Sequence, residues 1–122
     1  MSRILLVDDD DSFRKMLRIT LVKMGYKVIE ARDGKEAMTM FKQEPPDLVL
    51  TDLLMPKQDG LETIHALRQR DPDAKIIAMS AGGGYTADLL KMGQQMGANR
   101  VLRKPFPHDE LAAMLIELLG KP

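Results

Sequence analysis

A chain of 122 residues, 44% hydrophobic and 30% charged, has the composition of one globular domain, long enough to bury about two thirds of its unfolded surface. Lys plus Arg equals Asp plus Glu at 18 each, so no general field holds a polyanion, and nucleic-acid binding is disfavoured as the main activity. With no cysteine there are no disulfides, thiolate metal sites or cysteine nucleophiles, and no apolar run approaches the roughly 20 residues of a membrane span. The expectation is a single domain over residues 1–122, with no room for a separate output domain. No secretory or transit pattern precedes the first strand, so the expected compartment is the cytoplasm.

In chain order, Arg3–Val7 is apolar on consecutive positions, the pattern of a strand covered on both faces. It runs with no spacer into Asp8, Asp9, Asp10 and Asp11. Phe13, Met16, Leu17, Thr20, Leu21 and Met24 then follow at helical spacing, ended by Gly25. Arg14, Lys15, Arg18 and Lys23 give this first helix a basic outer side, which by itself reads as a solvated face as readily as a partner surface. Lys27–Glu30 is a second strand, and Asp33 with Glu36 has the spacing of a helix-start box. Pro45–Pro46 is a firm stop before the third strand, Asp47–Thr51, which delivers Asp52. Asp59 with Glu62 forms a second box, Leu61, Ile64 and Leu67 a second helical stripe, and Asp71–Pro72 the next stop. Lys75–Met79 is a fourth strand followed by Ser80. Gly82–Gly83–Gly84 precedes a helix at about Thr86 to Met96 that Gly93 interrupts, so a mobile loop is expected there. Arg100–Arg103 is a fifth strand followed by Lys104. Leu111, Met114, Leu115 and Leu118 form the last stripe, ended by Gly120.

Five strands alternating with five helices imply an α/β fold with parallel strands, right-handed crossovers and helices on both faces of the sheet. Ligands of such sheets sit beyond the carboxyl ends of the strands, where strand order reverses. If the order is 2-1-3-4-5, the first and third strands are neighbours there, and Asp8, Asp9 and Asp52 converge. Three converging carboxylates demand a cation, and a hard divalent ion such as Mg2+ suits an all-oxygen set. Asp10 and Asp11 have a simpler reason to be acidic, since the start of a helix favours negative charge. Asp52 has no such capping role, because Leu53, Leu54, Met55 and Pro56 follow it. Lys104 offers a mobile point charge to an anionic oxygen, and Ser80 a hydroxyl donor. His65 and His108 lack a second histidine at ligand spacing and read as surface residues. Gly82–Gly84 matches no phosphate-cradling pattern.

Together, Val7-Asp8-Asp9, Asp52-Leu53-Leu54-Met55-Pro56 with Asp59-Gly60, Ser80-Ala81 and Lys104-Pro105-Phe106 resemble, end to end, a receiver domain of two-component response regulators of the free-standing type. The resemblance implies a flavodoxin-like (βα)5 three-layer sandwich. It implies that Asp52 accepts a phosphoryl group from the phosphohistidine of a kinase or phosphotransfer protein. Asp9 would bind Mg2+ directly, Asp8 directly or through water, and the Leu54 backbone carbonyl would complete the protein ligands. Ser80 and Lys104 would hold the phosphoryl oxygens, and Lys104–Pro105 would be cis. Such a domain is a signalling module rather than an enzyme, although it promotes its own phosphorylation and dephosphorylation. It controls a protein target as a monomer or a weak phosphorylation-dependent dimer, and its first helix meets the phosphodonor protein.

The sequence departs from the family pattern in three places. Val101 stands at the switch position usually held by Tyr or Phe, Ser80 replaces the commoner Thr, and the loop Ala81–Tyr85 is glycine-rich and longer than usual. Tyr85 or the loop backbone is a candidate for part of the readout, and an ordinary surface tyrosine is the alternative. Two other functions compete. A haloacid-dehalogenase-like phosphatase would carry a second Asp two residues after its nucleophile, where this chain has Leu54. A docking scaffold that is never phosphorylated would not need the complete acidic and phosphoryl-holding set.

Overall fold

The computed structural model describes residues 2–53, 60–81 and 86–121. Its elements are β1 (Arg3–Val7), α1 (Asp11–Lys23), β2 (Lys27–Ala31), α2 (Gly34–Gln43), β3 (Leu48–Asp52), α3 (Gly60–Arg70), β4 (Ile76–Ser80), α4 (Thr86–Met96), β5 (Arg100–Arg103) and α5 (His108–Leu119). The strands form one sheet in the order β2-β1-β3-β4-β5, every pair parallel. This is the expected doubly wound arrangement.

The sheet is apolar on consecutive positions because helices cover both its faces. Ile4 and Leu6 of β1, Leu48 and Leu50 of β3, Ile77 and Met79 of β4 and Leu102 of β5 pack with Leu17 and Leu21 of α1 and with Leu111 and Leu115 of α5. The intervening residues, among them Leu5, Val7, Val49, Ile76 and Ala78, pack with Ala37 and Phe41 of α2 and with Ile64 and Leu67 of α3. Side chains alternating at period two thus feed two cores, one on each side of the sheet.

The start of α1 explains half of the acidic run. Asp10 is the N-cap, its side chain accepting from the Phe13 N–H, and Asp11 lies in the first turn, where both offset unsatisfied backbone donors. The helix stops at Gly25, whose φ of 102° is open to glycine at little cost. Asp33 likewise accepts from the Glu36 N–H at 2.8 Å. Glu36 reaches back one residue further than the expected box, accepting from the Arg32 N–H at 3.2 Å.

Several expectations are corrected. The third and fourth strands run one residue later than the apolar runs suggested, because the ladder carries Asp52 opposite Met79 and Ser80 opposite Arg103. On α1, Met16 is exposed while Arg14 is buried. The inward face is Arg14, Leu17 and Leu21, and Arg14 is no part of a solvated basic side. Gly93 does not interrupt α4. A Cβ there would lie 3.3 Å from Leu53 Cδ2 and 3.5 Å from the Ala78 Cβ, so its lack of a side chain lets the helix approach the sheet. The Asp59–Glu62 box and the Gly82–Gly84 loop involve positions outside the described residues. No described helix is long and apolar enough to cross a membrane.

Candidate functional site

The register of β1 on β3 builds the site. Val7 pairs with Thr51, so Asp8, one residue on, comes level with Asp52 at the end of β3. Asp8 is fully buried. Its N–H donates to the Ala31 carbonyl at 3.1 Å, and its Oδ1 accepts from the Asp10 N–H at 3.0 Å. The next residue, Asp9, is exposed. Asp52 is 7% exposed, and its backbone carbonyl accepts from the Thr51 hydroxyl at 3.0 Å. Carboxylate oxygens of Asp8, Asp9 and Asp52 lie within 4.8 Å of one another.

Lys104 arrives from the far side of the same sheet edge. Its N–H donates to the Ser80 carbonyl at 2.8 Å, which continues the β4–β5 ladder one step past β5. Its ammonium stands 2.7 Å from Asp8 Oδ2 and 3.5 Å from Asp52 Oδ2, and 4.0 Å from the centroid of the Phe13 ring. Phe106 meets Phe13 edge-on, with centroids 6.3 Å apart and planes at 81°. The Lys104–Pro105 peptide is cis. Ser80 is fully buried, and its hydroxyl reaches the Ala81 carbonyl only at 3.4 Å. The structure therefore brings Asp8, Asp9, Asp52 and Lys104 into one cluster and joins Ser80 to it through the Lys104 backbone.

Val101 is half-buried, opposite Ala78 in the register, and packs against the core on the α2 and α3 side. His65 and His108 are exposed. Leu54 and Tyr85 lie outside the described residues.

Two residues of the site escaped the sequence reading. Arg14 sits beneath the acidic turn, donating to the Asp8 carbonyl at 2.7 Å and pairing with Asp11 at 2.7 Å and Glu30 at 3.0 Å. Burial works against its charge, but the hydrogen bonds and charges of Asp11 and Glu30 outweigh that and push its pKa above the ordinary arginine value. Its spacing with Leu17 and Leu21, at i+3 and i+7, was the available signal. Phe13 was visible only as a core position, although its ring faces the Lys104 ammonium.

Three carboxylates facing one ammonium leave an excess of negative charge at the mouth of the sheet. All the ligand atoms are oxygen, two of the carboxylates are buried and one is open to solvent. This donor set fits a hard divalent cation that keeps part of its water shell.

The comparisons agree with this geometry. Residues 4–116 match the family model for the response regulator receiver domain. The probable transcriptional regulator ycf27 of Guillardia theta is 41% identical over 119 residues, covering 98% of this chain and 46% of that protein. The response regulator MprA of Mycolicibacterium vanbaalenii is 39% identical over 119 residues, covering 98% of this chain and 51% of that one. The chain thus spans about half the length of these relatives. Among solved structures, the response regulator protein TrrA of Thermotoga maritima, in complex with Mg(2+)-BeF, is 37% identical. It has a TM-score of 0.87, with 98% of this chain and 100% of that one covered. With the strand order, the acidic cluster and the lysine in place, and the family match running over nearly its whole length, the chain belongs to the response regulator receiver domains.

Proposed function

We propose that this receiver domain takes a phosphoryl group onto Asp52 from a phosphohistidine of a histidine kinase or phosphotransfer protein. A carboxylate oxygen of Asp52 attacks phosphorus, the P–N bond breaks, and its electron pair returns to the imidazole nitrogen of the donor. The reading rests above all on one observation: Lys104 and three carboxylates meet where β1 and β3 end. Phosphoryl transfer needs mainly positioning and charge neutralisation. Lys104 offsets the repulsion between Asp52 and an incoming anion, and Asp8 fixes the ammonium in place. A Mg2+ ion held by Asp8, Asp9 and Asp52, with the Leu54 carbonyl, would supply the remaining neutralisation. Among the described residues the Ser80 hydroxyl makes one long bond, to the Ala81 carbonyl, so it can turn to donate to a phosphoryl oxygen.

Readout follows the added charge. Val101 has no ring to swing, so the response passes through Ser80 and the chain after it, with Tyr85 as a candidate reporter. The outer side of α1, where Ile19 and Val22 are 53% and 50% exposed among Lys15, Arg18 and Lys23, is the docking face for the phosphodonor protein.

Incubation with Mg2+ and acetyl phosphate should give stoichiometric, acid-stable, base-labile phosphate on wild type and none on Asp52→Asn. Multiple turnover on phosphate esters would mean a phosphatase instead, and an unlabelled wild type would mean a scaffold.

A further inference from the structure

We propose that Phe13 is a positioning residue for Lys104, holding the ammonium over its ring face so that the charge stays on the Asp8–Asp52 line. The inference rests on the reading of Asp52 as phosphoacceptor and extends it to a residue outside the acidic and phosphoryl-holding set. The Lys104 Nζ lies 4.0 Å from the Phe13 centroid, well inside the range in which a ring quadrupole attracts a cation. Both partners are held. The Phe13 N–H donates to the Asp10 side chain at 3.1 Å, which fixes the Phe13 backbone in the first turn of α1, and Phe106 packs against the ring, with the planes at 81°.

A lysine side chain has four rotatable bonds, and its ammonium makes a point contact rather than a fork. Asp8 and Asp52 attract it along one direction only. The ring supplies a second direction, closing off the rotamers that would carry the ammonium out to Asp9 and solvent. Asp10 therefore touches the site twice, directly through its N–H on Asp8 Oδ1 and at one remove through the Phe13 N–H that its carboxylate caps.

The test compares Phe13→Tyr, which keeps an aromatic face, with Phe13→Leu, which keeps apolar bulk without one. In NMR spectra, ring current should shift the Lys104 Cε protons upfield in wild type and Phe13→Tyr, and the shift should vanish in Phe13→Leu. Affinity for beryllofluoride in Mg2+, followed by 19F NMR, should fall by about 3- to 10-fold in Phe13→Leu and stay near wild type in Phe13→Tyr. Thermal melts of both variants check that each folds. The proposal is overturned if the two variants behave alike in affinity, whether both retained or both impaired, if Phe13→Leu binds better than Phe13→Tyr, or if wild type shows no ring-current shift. If wild type binds no beryllofluoride, it is the phosphoacceptor reading that fails. The ring-current comparison alone then decides whether Phe13 holds Lys104.

Discussion

Removing the Arg14 guanidinium takes three anchors from the acidic turn at once: the Asp8 carbonyl, the Asp11 carboxylate and the Glu30 carboxylate. Glu30 is partly solvated and finds water in compensation, whereas the buried Asp8 carbonyl does not. Arg14→Ala should therefore destabilise the fold by about 2 kcal/mol in urea melts and weaken Mg2+ binding, because the turn that aims Asp8 and Asp9 loses its support. Arg14→Lys should recover only part of either effect, since one ammonium cannot reproduce a fork directed at three oxygens. A stability loss with unchanged Mg2+ affinity would confine Arg14 to the scaffold. The contrast with Asp52 shows what a sequence makes legible. Asp52 follows an apolar run with no helix to cap, so its oddity is local and readable. Arg14 resembles any cation on a helix, and what makes it special is an acceptor just past the end of β1 and an anion from β2 that only folding brings near. Phe13 was hidden for a similar reason, because its partner Lys104 lies at the other end of the chain.

The joints between elements carry the next predictions. A Cβ on Gly60 would lie 2.2 Å from the Asp52 carbonyl oxygen and 2.4 Å from the Leu53 Cα, and its N–H donates to the Leu53 carbonyl at 3.0 Å. Backbone cannot yield as a flexible side chain can. Gly60→Ala should thus cost about 1–3 kcal/mol in a denaturant melt and slow labelling of Asp52 by acetyl phosphate. Labelling at the wild-type rate would mean that α3 had shifted and left β3 in place. Gly93 is a milder case, because it faces the pliable end of Leu53. The same glycine looked like a helix break in sequence, where close approach to a sheet and a loss of helical propensity leave one signature. On α1, Ile19→Asp should reduce phosphoryl transfer from a cognate kinase by at least about tenfold while leaving acetyl phosphate labelling intact, since a charge in a desolvated contact is costly. Equal loss with both donors would assign Ile19 to the fold rather than to docking.

At the scale of the molecule, the negative charge gathered at one end of the sheet predicts linkage between folding and divalent ions. Free Mg2+ at about 100 times its dissociation constant should raise unfolding free energy by about 2.7 kcal/mol, with the gain greatly reduced in Asp9→Asn. A denaturation midpoint indifferent to Mg2+ would leave the acidic cluster without a cation. The global architecture was the most legible level, because five apolar runs separated by helical stripes admit few arrangements. Only the strand ends shifted, where ladder pairing rather than hydropathy decides which residue is last.

The alternation that feeds two cores also sorts the site between them. Asp8 and Asp52 continue the strand faces of Ile4, Leu6, Leu48 and Leu50, which belong to the side of α1 and α5. Ser80 continues the face of Ile76 and Ala78, on the side of α2 and α3. The sheet is a partition between two compartments, each filled by its own set of packed side chains. A phosphoryl group bonded to Asp52 and gripped by Ser80 would be a rivet through that partition. An event received on one side would then be felt on the other with no deformation of the wall between them.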